Sequence, residues 1–149
     1  MPTVKEVLND TKKRLKEQGI DTFSLDSSLL VSEVTGLTKI QLVTHDRDEV
    51  TEEQLDRLEN LVEERLKNKP MQYILGHCEF MGLDFKVTEN TLIPRGDTEN
   101  IVEEVIATIE NSGYNTVLDM CTGTGAIAIS VAHYTKAKVT ASDISKKAL

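Results

Sequence analysis

The 149-residue sequence predicts an α/β protein in three parts: a helical bundle over residues 1–69, a β-hairpin linker over 70–94, and the beginning of a parallel α/β domain over 95–149. Three observations predict it. Apolar residues recur at helical spacing through the first part, and the period switches to two after Pro70. From residue 98 onward, helical and strand patterns alternate around a turn with two glycines.

In the first part, Thr3 to Glu6 (TVKE) is a capping-box pattern. Val4, Val7, Leu8 and Leu15 then share one helix face until Gly19 stops it. A second helix is expected from about Asp26 to Thr35, burying Leu29, Leu30 and Val34 and ending at Gly36. A short third one starts near Thr38 and carries Ile40, Leu42 and Val43. Another capping box, TEEQ at Thr51 to Gln54, opens a fourth, with Leu55, Leu58, Leu61, Val62 and Leu66 on one stripe and Pro70 at its end. Short connections make these helices a bundle.

After Pro70, MQYILGHCEFMGLDFKV is expected to form a hairpin with Phe80, Leu83, Phe85 and Val87 in alternation about a Met81-Gly82 turn. The extended segment TLIPRGDTE follows. Asp97 or Thr98 then caps a helix with Ile101, Val102, Val105, Ile106 and Ile109 on its core face and Gly113 as its stop. Next come a strand at 116–120, a helix at 126–134, a strand at 138–142 and a new helix from Ser145. That order favours a parallel sheet with right-handed crossovers. The two strands are apolar, and edges without neighbours would invite pairing between copies of the chain.

The formal net charge of −8 is spread evenly, with 11 Lys/Arg against 15 Asp/Glu in residues 1–69 and 6 against 10 in the rest. Such a surface repels phosphate and argues against general nucleic-acid binding. Lys12, Lys13, Arg14 and Lys16 form the densest basic cluster, to be read first as a solvated helix face. Cys78 and Cys121 have no CxxC spacing, and His45, His77 and His133 are far apart, so no metal site is expected. The N-terminus lacks the apolar core of a signal peptide, and no apolar run reaches membrane-spanning length. The expectation is a cytoplasmic protein with reduced thiols and no membrane partner.

The chemistry concentrates in VLDMCTGTGAIAI, residues 117–129. In a strand–turn–helix unit, glycines let the backbone approach a ligand, and the helix N-terminus offers free N–H groups. Gly123 and Gly125 supply the approach. Asp143 ends the next strand, where a carboxylate can accept from both ribose hydroxyls of an adenosine. Gly123 to Ala128 also fits the GxGxxA variant of the dinucleotide fingerprint. Asp119 decides between the two cofactor classes. A carboxylate there would repel a pyrophosphate but suits the sulfonium and ammonium groups of S-adenosylmethionine. Cys121 lies in the turn and is read as a small packed residue rather than a nucleophile.

Three stretches, PMQYILGHCEFMGLDFKV, TLIPRGDTE and VLDMCTGTGAIAIS, resemble the HemK-type (PrmC) family of peptide chain release factor glutamine methyltransferases. The resemblance implies a helical substrate-recognition domain, a hairpin linker and the first part of a Rossmann-like, S-adenosylmethionine-dependent methyltransferase domain. By position it places Asp119, Cys121, Thr122, Gly123, Thr124, Gly125 and Asp143 on the cofactor. It puts Arg95 over the same site, within a second motif of Pro94, Asp97, Thr98 and Glu99. Peptide chain release factors become the expected partners. Two residues depart from the pattern. Gly96 stands where the family has proline, which should loosen the loop. Cys121 replaces a glycine, so its backbone should suit a residue with a Cβ.

The family's catalytic Asn-Pro-Pro-Tyr does not occur in these 149 residues. The expectation is therefore the N-terminal portion of a longer enzyme, without catalytic residues and inactive alone. Three other readings compete: a nucleic-acid adenine methyltransferase, disfavoured by the acidic charge, a nicotinamide-dependent oxidoreductase, and a non-catalytic module that docks a translation factor.

Overall fold

Thr3 opens helix α1 (Val4–Glu17) through the expected capping box: its hydroxyl accepts from the Glu6 N–H, and the Glu6 carboxylate accepts from the Thr3 N–H at 2.8 Å. The computed structural model describes residues 1–148. These divide into two compact units, Met1–Leu75 and the remainder from Gly76.

In the first unit, α2 (Phe23–Thr35) begins at Phe23 rather than Asp26, because Phe23 packs against the core and draws the first turn inward. Helix α3 (Gln41–Thr44) is a single turn that buries Leu42 alone. Ile40 and Val43, expected to be inward, are 77% and 74% exposed, since so short a helix has only one inward position. Helix α4 (Glu52–Leu66) starts with the second capping box, Thr51 with Gln54. The stretch expected to begin the hairpin instead forms α5 (Met71–Leu75). Met71 is buried in the bundle core with Ile74 and Leu75 against it, a helical spacing that prevails over the strand reading. This unit therefore extends past residue 69, and the hairpin belongs to the next.

One ion pair of this unit is buried. Arg65 Nε on α4 lies 2.8 Å from Asp26 Oδ2 on α2, with the two side chains 15% and 4% exposed, and the Thr22 hydroxyl donates to the same oxygen. The basic cluster on α1 is also engaged. Arg14 makes two 2.6 Å bonds to the Glu59 carboxylate, and Lys16 sits over the Phe23 ring. These cations hold α1 to its neighbours, which fits a face of the bundle better than a phosphate-binding surface.

In the second unit, β1 (His77–Phe80) and β2 (Leu83–Lys86) pair antiparallel across Met81-Gly82. Both turn residues have positive φ, 52° and 71°, the geometry of a two-residue type I′ hairpin. Phe80 and Phe85 enter this unit's core with Val102, Ala126 and Val131. Helix α6 (Asp97–Ser112), β3 (Thr116–Met120), α7 (Ala126–Tyr134) and β4 (Lys138–Ser142) follow. Strands β3 and β4 are parallel, in register from Thr116 opposite Lys138 to Met120 opposite Ser142. Ile101 is 57% exposed, because the inward stripe of α6 runs through Val102, Val105, Ile106 and Ile109 and leaves Ile101 at its edge. The helix expected from Ser145 is a turn among the described residues, with Ser145 N–H held by the Asp143 carboxylate. Among the described residues, no helix is long and apolar enough to cross a membrane.

The Asp26–Arg65 pair predicts a clear asymmetry. Arg65→Met should cost about 3 kcal/mol by leaving a buried carboxylate without its cation. Arg57→Met, which removes a surface bond to Glu33, should cost less than about 1 kcal/mol. Urea denaturation of both variants checks this, and equal losses would contradict it.

Candidate functional site

The turn after β3 is built by its own polar groups. Asp119 is 9% exposed. Its Oδ2 accepts from the Thr122 hydroxyl at 2.5 Å and from the Ala128 N–H at 3.1 Å, which satisfies one of the orphan donors at the start of α7. The acid expected to face a sulfonium ligand is thus partly committed to the turn. Its Oδ1 takes no hydrogen bond among the described residues. Thr122 N–H donates to the Ser142 carbonyl at 3.0 Å, joining the turn to the end of β4.

Asp143 closes the turn from the other strand. Its Oδ2 accepts from the Gly123 N–H at 2.9 Å and its Oδ1 from the Ser145 N–H at 2.8 Å. The bonds from Ser145 and Gly123, in that order, hold its pKa below the usual aspartate value. The closure is therefore fully present above that usual value and is lost as pH falls through the lowered one.

The two glycines differ in what they require. Gly125 caps α7 at φ 77°, and a Cβ there would meet Ile129 Cδ1 at 3.0 Å. Gly123, at φ 56°, faces open space, so a ligand can approach its backbone.

A 170 Å³ cavity brings the predicted runs together. Pro94, Arg95 and Thr98 line it from the second motif, and Cys121, Thr122, Gly123 and Thr124 line it from the turn. Asp119, Gly125 and Asp143 do not line it; they shape the turn that does. Asp97 is exposed on the first turn of α6. Glu99 points to the hairpin instead, where its Oε1 accepts from the Met81 N–H at 2.7 Å. The sequence reading missed Phe80, Leu92, Ile93, Ala126 and Ile127 as lining residues, since an apolar residue of a pocket wall and one of a core carry the same signal. A larger cleft of 620 Å³ lies along β2 and α7, and Thr124 is the one predicted residue bordering it. Among the described residues, no cluster of His, Cys, Asp or Glu is placed to hold a metal ion.

Two expectations need correction here. Cys121 has φ 62°, the left-handed region, and is exposed. The turn thus keeps a conformation suited to glycine despite the Cβ. Neither Asp97 nor Thr98 caps α6: Gly96 is the N-cap and no side chain bonds the end. The acids Asp97 and Glu99 still suit the positive end of the helix. Gly96, which stands where the family has proline, has φ −55° and ψ −35°, within the range a proline takes, and a Cβ there would meet nothing within 4 Å.

Both departures from the family pattern are therefore reversible. Cys121→Gly should stabilise the fold by about 1 kcal/mol through relief of the left-handed backbone. Gly96→Pro should add about 0.5 kcal/mol by restricting the unfolded chain. Thermal and urea unfolding of the two variants measures this, and a loss of stability in Cys121→Gly would contradict the assigned geometry.

The family model for the PrmC N-terminal domain matches residues 6–76. The release factor glutamine methyltransferase of Clostridium acetobutylicum is 42% identical over 147 residues, which cover 98% of this chain and 52% of that protein. That of Moorella thermoacetica is 38% identical over 148 residues, 99% of this chain and 52% of that protein. That of Geobacter sulfurreducens is 40% identical over 130 residues, 87% and 45%. The chain spans about half the length of the curated relatives it matches. The chain thus matches the PrmC N-terminal domain and is similar, across nearly all of its own residues, to about half the length of release factor glutamine methyltransferases.

Proposed function

We propose that this chain supplies the cofactor site of a Rossmann-like, S-adenosylmethionine-dependent methyltransferase, and that the whole protein methylates the glutamine side-chain amide in the Gly-Gly-Gln motif of peptide chain release factors. The observation that carries this reading is the meeting of the IPRGDTE run and the glycine turn on one cavity. The relatives' names supply the substrate class.

The residues present fit the cofactor. Leu92 and Ile93, backed by the buried Phe80, offer an apolar wall for an adenine ring, and the open backbone of Gly123 allows close approach. The Asp143 carboxylate, just past the end of β4, suits ribose hydroxyls. The free Oδ1 of Asp119 suits an ammonium group. When bound, the cofactor supplies an electrophilic methyl group on a sulfonium centre. The turn and its acids orient that methyl and screen its positive charge.

The acceptor amide needs a separate set of contacts, because its nitrogen lone pair is delocalised into the carbonyl. Holding such an NH₂ in line requires hydrogen-bond acceptors of the kind the family places on Asn-Pro-Pro-Tyr, and no Asn-Pro-Pro occurs in this sequence. These 149 residues are accordingly assigned cofactor binding without methyl transfer. Residues 1–69 are assigned recognition of the release factor, with 70–94 as the connection and 95–149 as the start of the methyltransferase domain. The protein acts in the cytoplasm. The unpaired outer edges of the two-stranded β3–β4 sheet are where copies of this chain would associate.

Calorimetric titration with S-adenosylhomocysteine, the cofactor's product form, tests the reading. Saturable binding is expected, with NAD competing poorly. Labelled methyl groups should not pass from S-adenosylmethionine to a release factor through these residues alone. Tighter binding of NAD would contradict the cofactor assignment, and methyl transfer would contradict the division of labour.

A further inference from the structure

The hairpin turn at Met81-Gly82 is gripped in a way that the hairpin itself does not require. In a two-residue turn the ladder is closed by the flanking residues, here Phe80 and Leu83, and the polar groups of the first turn residue point outward. Both outward groups of Met81 are nevertheless taken by side chains from other elements. Glu99 Oε1 on α6 accepts its N–H at 2.7 Å, and the Tyr134 hydroxyl on α7 donates to its carbonyl at 2.6 Å. Met81 is held at φ 52° between them, a conformation disfavoured for a residue with a Cβ.

The next residue back is Phe80, which is 1% exposed, meets Phe85 edge to face, and lines the cavity beside Pro94, Arg95 and Thr98. Glu99 directly follows Thr98 in α6. One short run of sequence therefore lines the cavity with three side chains and, through its glutamate, holds the hairpin that carries Phe80. Tyr134 is 45% exposed, so it is the hydroxyl rather than a buried ring that makes the second contact.

We propose that Glu99 and Tyr134 are positioning residues for the adenosyl pocket. They clamp the Met81 peptide groups from α6 and α7 and so fix the position of the buried Phe80, which backs the pocket wall. This rests on the cofactor reading above and gives Glu99 a role through the hairpin rather than in contact with the ligand.

The test is S-adenosylhomocysteine affinity by calorimetry for the chain and four variants. Tyr134→Phe and Glu99→Ala should each weaken binding about five- to tenfold, the loss of one hydrogen bond that orders the wall. Glu99→Gln should stay within about twofold, because its amide oxygen still accepts from the Met81 N–H. His77→Ala, which removes a surface contact to Asp84 elsewhere on the hairpin, should bind as the parent does. In Glu99→Ala, amide exchange should quicken about tenfold at Met81 and stay unchanged along β3. Parent-like affinity in Tyr134→Phe, or Glu99→Gln as weak as Glu99→Ala, overturns the clamp. Absence of binding by the unaltered chain overturns the cofactor reading, and the clamp's role with it.

Discussion

The Asp119 carboxylate is the constraint on which the rest of the candidate site depends. From the end of β3 it bonds the Thr122 hydroxyl and the first turn of α7, so strand, turn and helix become one rigid corner. Asp143 then ties the middle of the turn, at Gly123, to the end of β4. Two carboxylates thus hold a loop that contains three left-handed residues, Cys121, Gly123 and Gly125. Without them such a loop would have no reason to stay in one conformation, and the backbone surface it offers to a ligand would be lost.

This division gives the acids two duties at once. A carboxylate can accept several hydrogen bonds, so structural bonds at one oxygen leave capacity at the other. The same economy applies to the second motif. Pro94, Arg95 and Thr98 face the cavity, while Glu99 holds the hairpin that carries Phe80. Motif residues need not all touch a ligand, and several here act by holding those that can.

Much of this was legible in the sequence, for identifiable reasons. Both capping boxes occur where TVKE and TEEQ stand, because a hydroxyl and a carboxyl or amide at that spacing satisfy backbone donors locally. The limits of β3, α7 and β4 also match, since apolar runs bounded by a glycine turn have few alternatives. What was not legible depends on tertiary contact. Helix α5 exists because Met71 finds the bundle core, and Ile40, Val43 and Ile101 are exposed because their neighbours in space do not reach them. The orientation of Asp119 and the left-handed backbone of Cys121 are likewise properties of the closed turn, which no local pattern encodes. The pairing of Tyr134 with Met81 spans distant parts of the chain and left no mark on either segment.

The central claim is that two separated runs, Leu92–Thr98 and Cys121–Ile127, form one adenosyl site. The most direct measurement is a map of backbone amide chemical shifts during titration with S-adenosylhomocysteine. The account predicts that Arg95, Thr98, Thr122, Gly123 and Thr124 shift together along one saturation curve, with Phe80 moving among them. Shifts confined to one of the two runs, or centred on the cleft along β2 and α7, would contradict it.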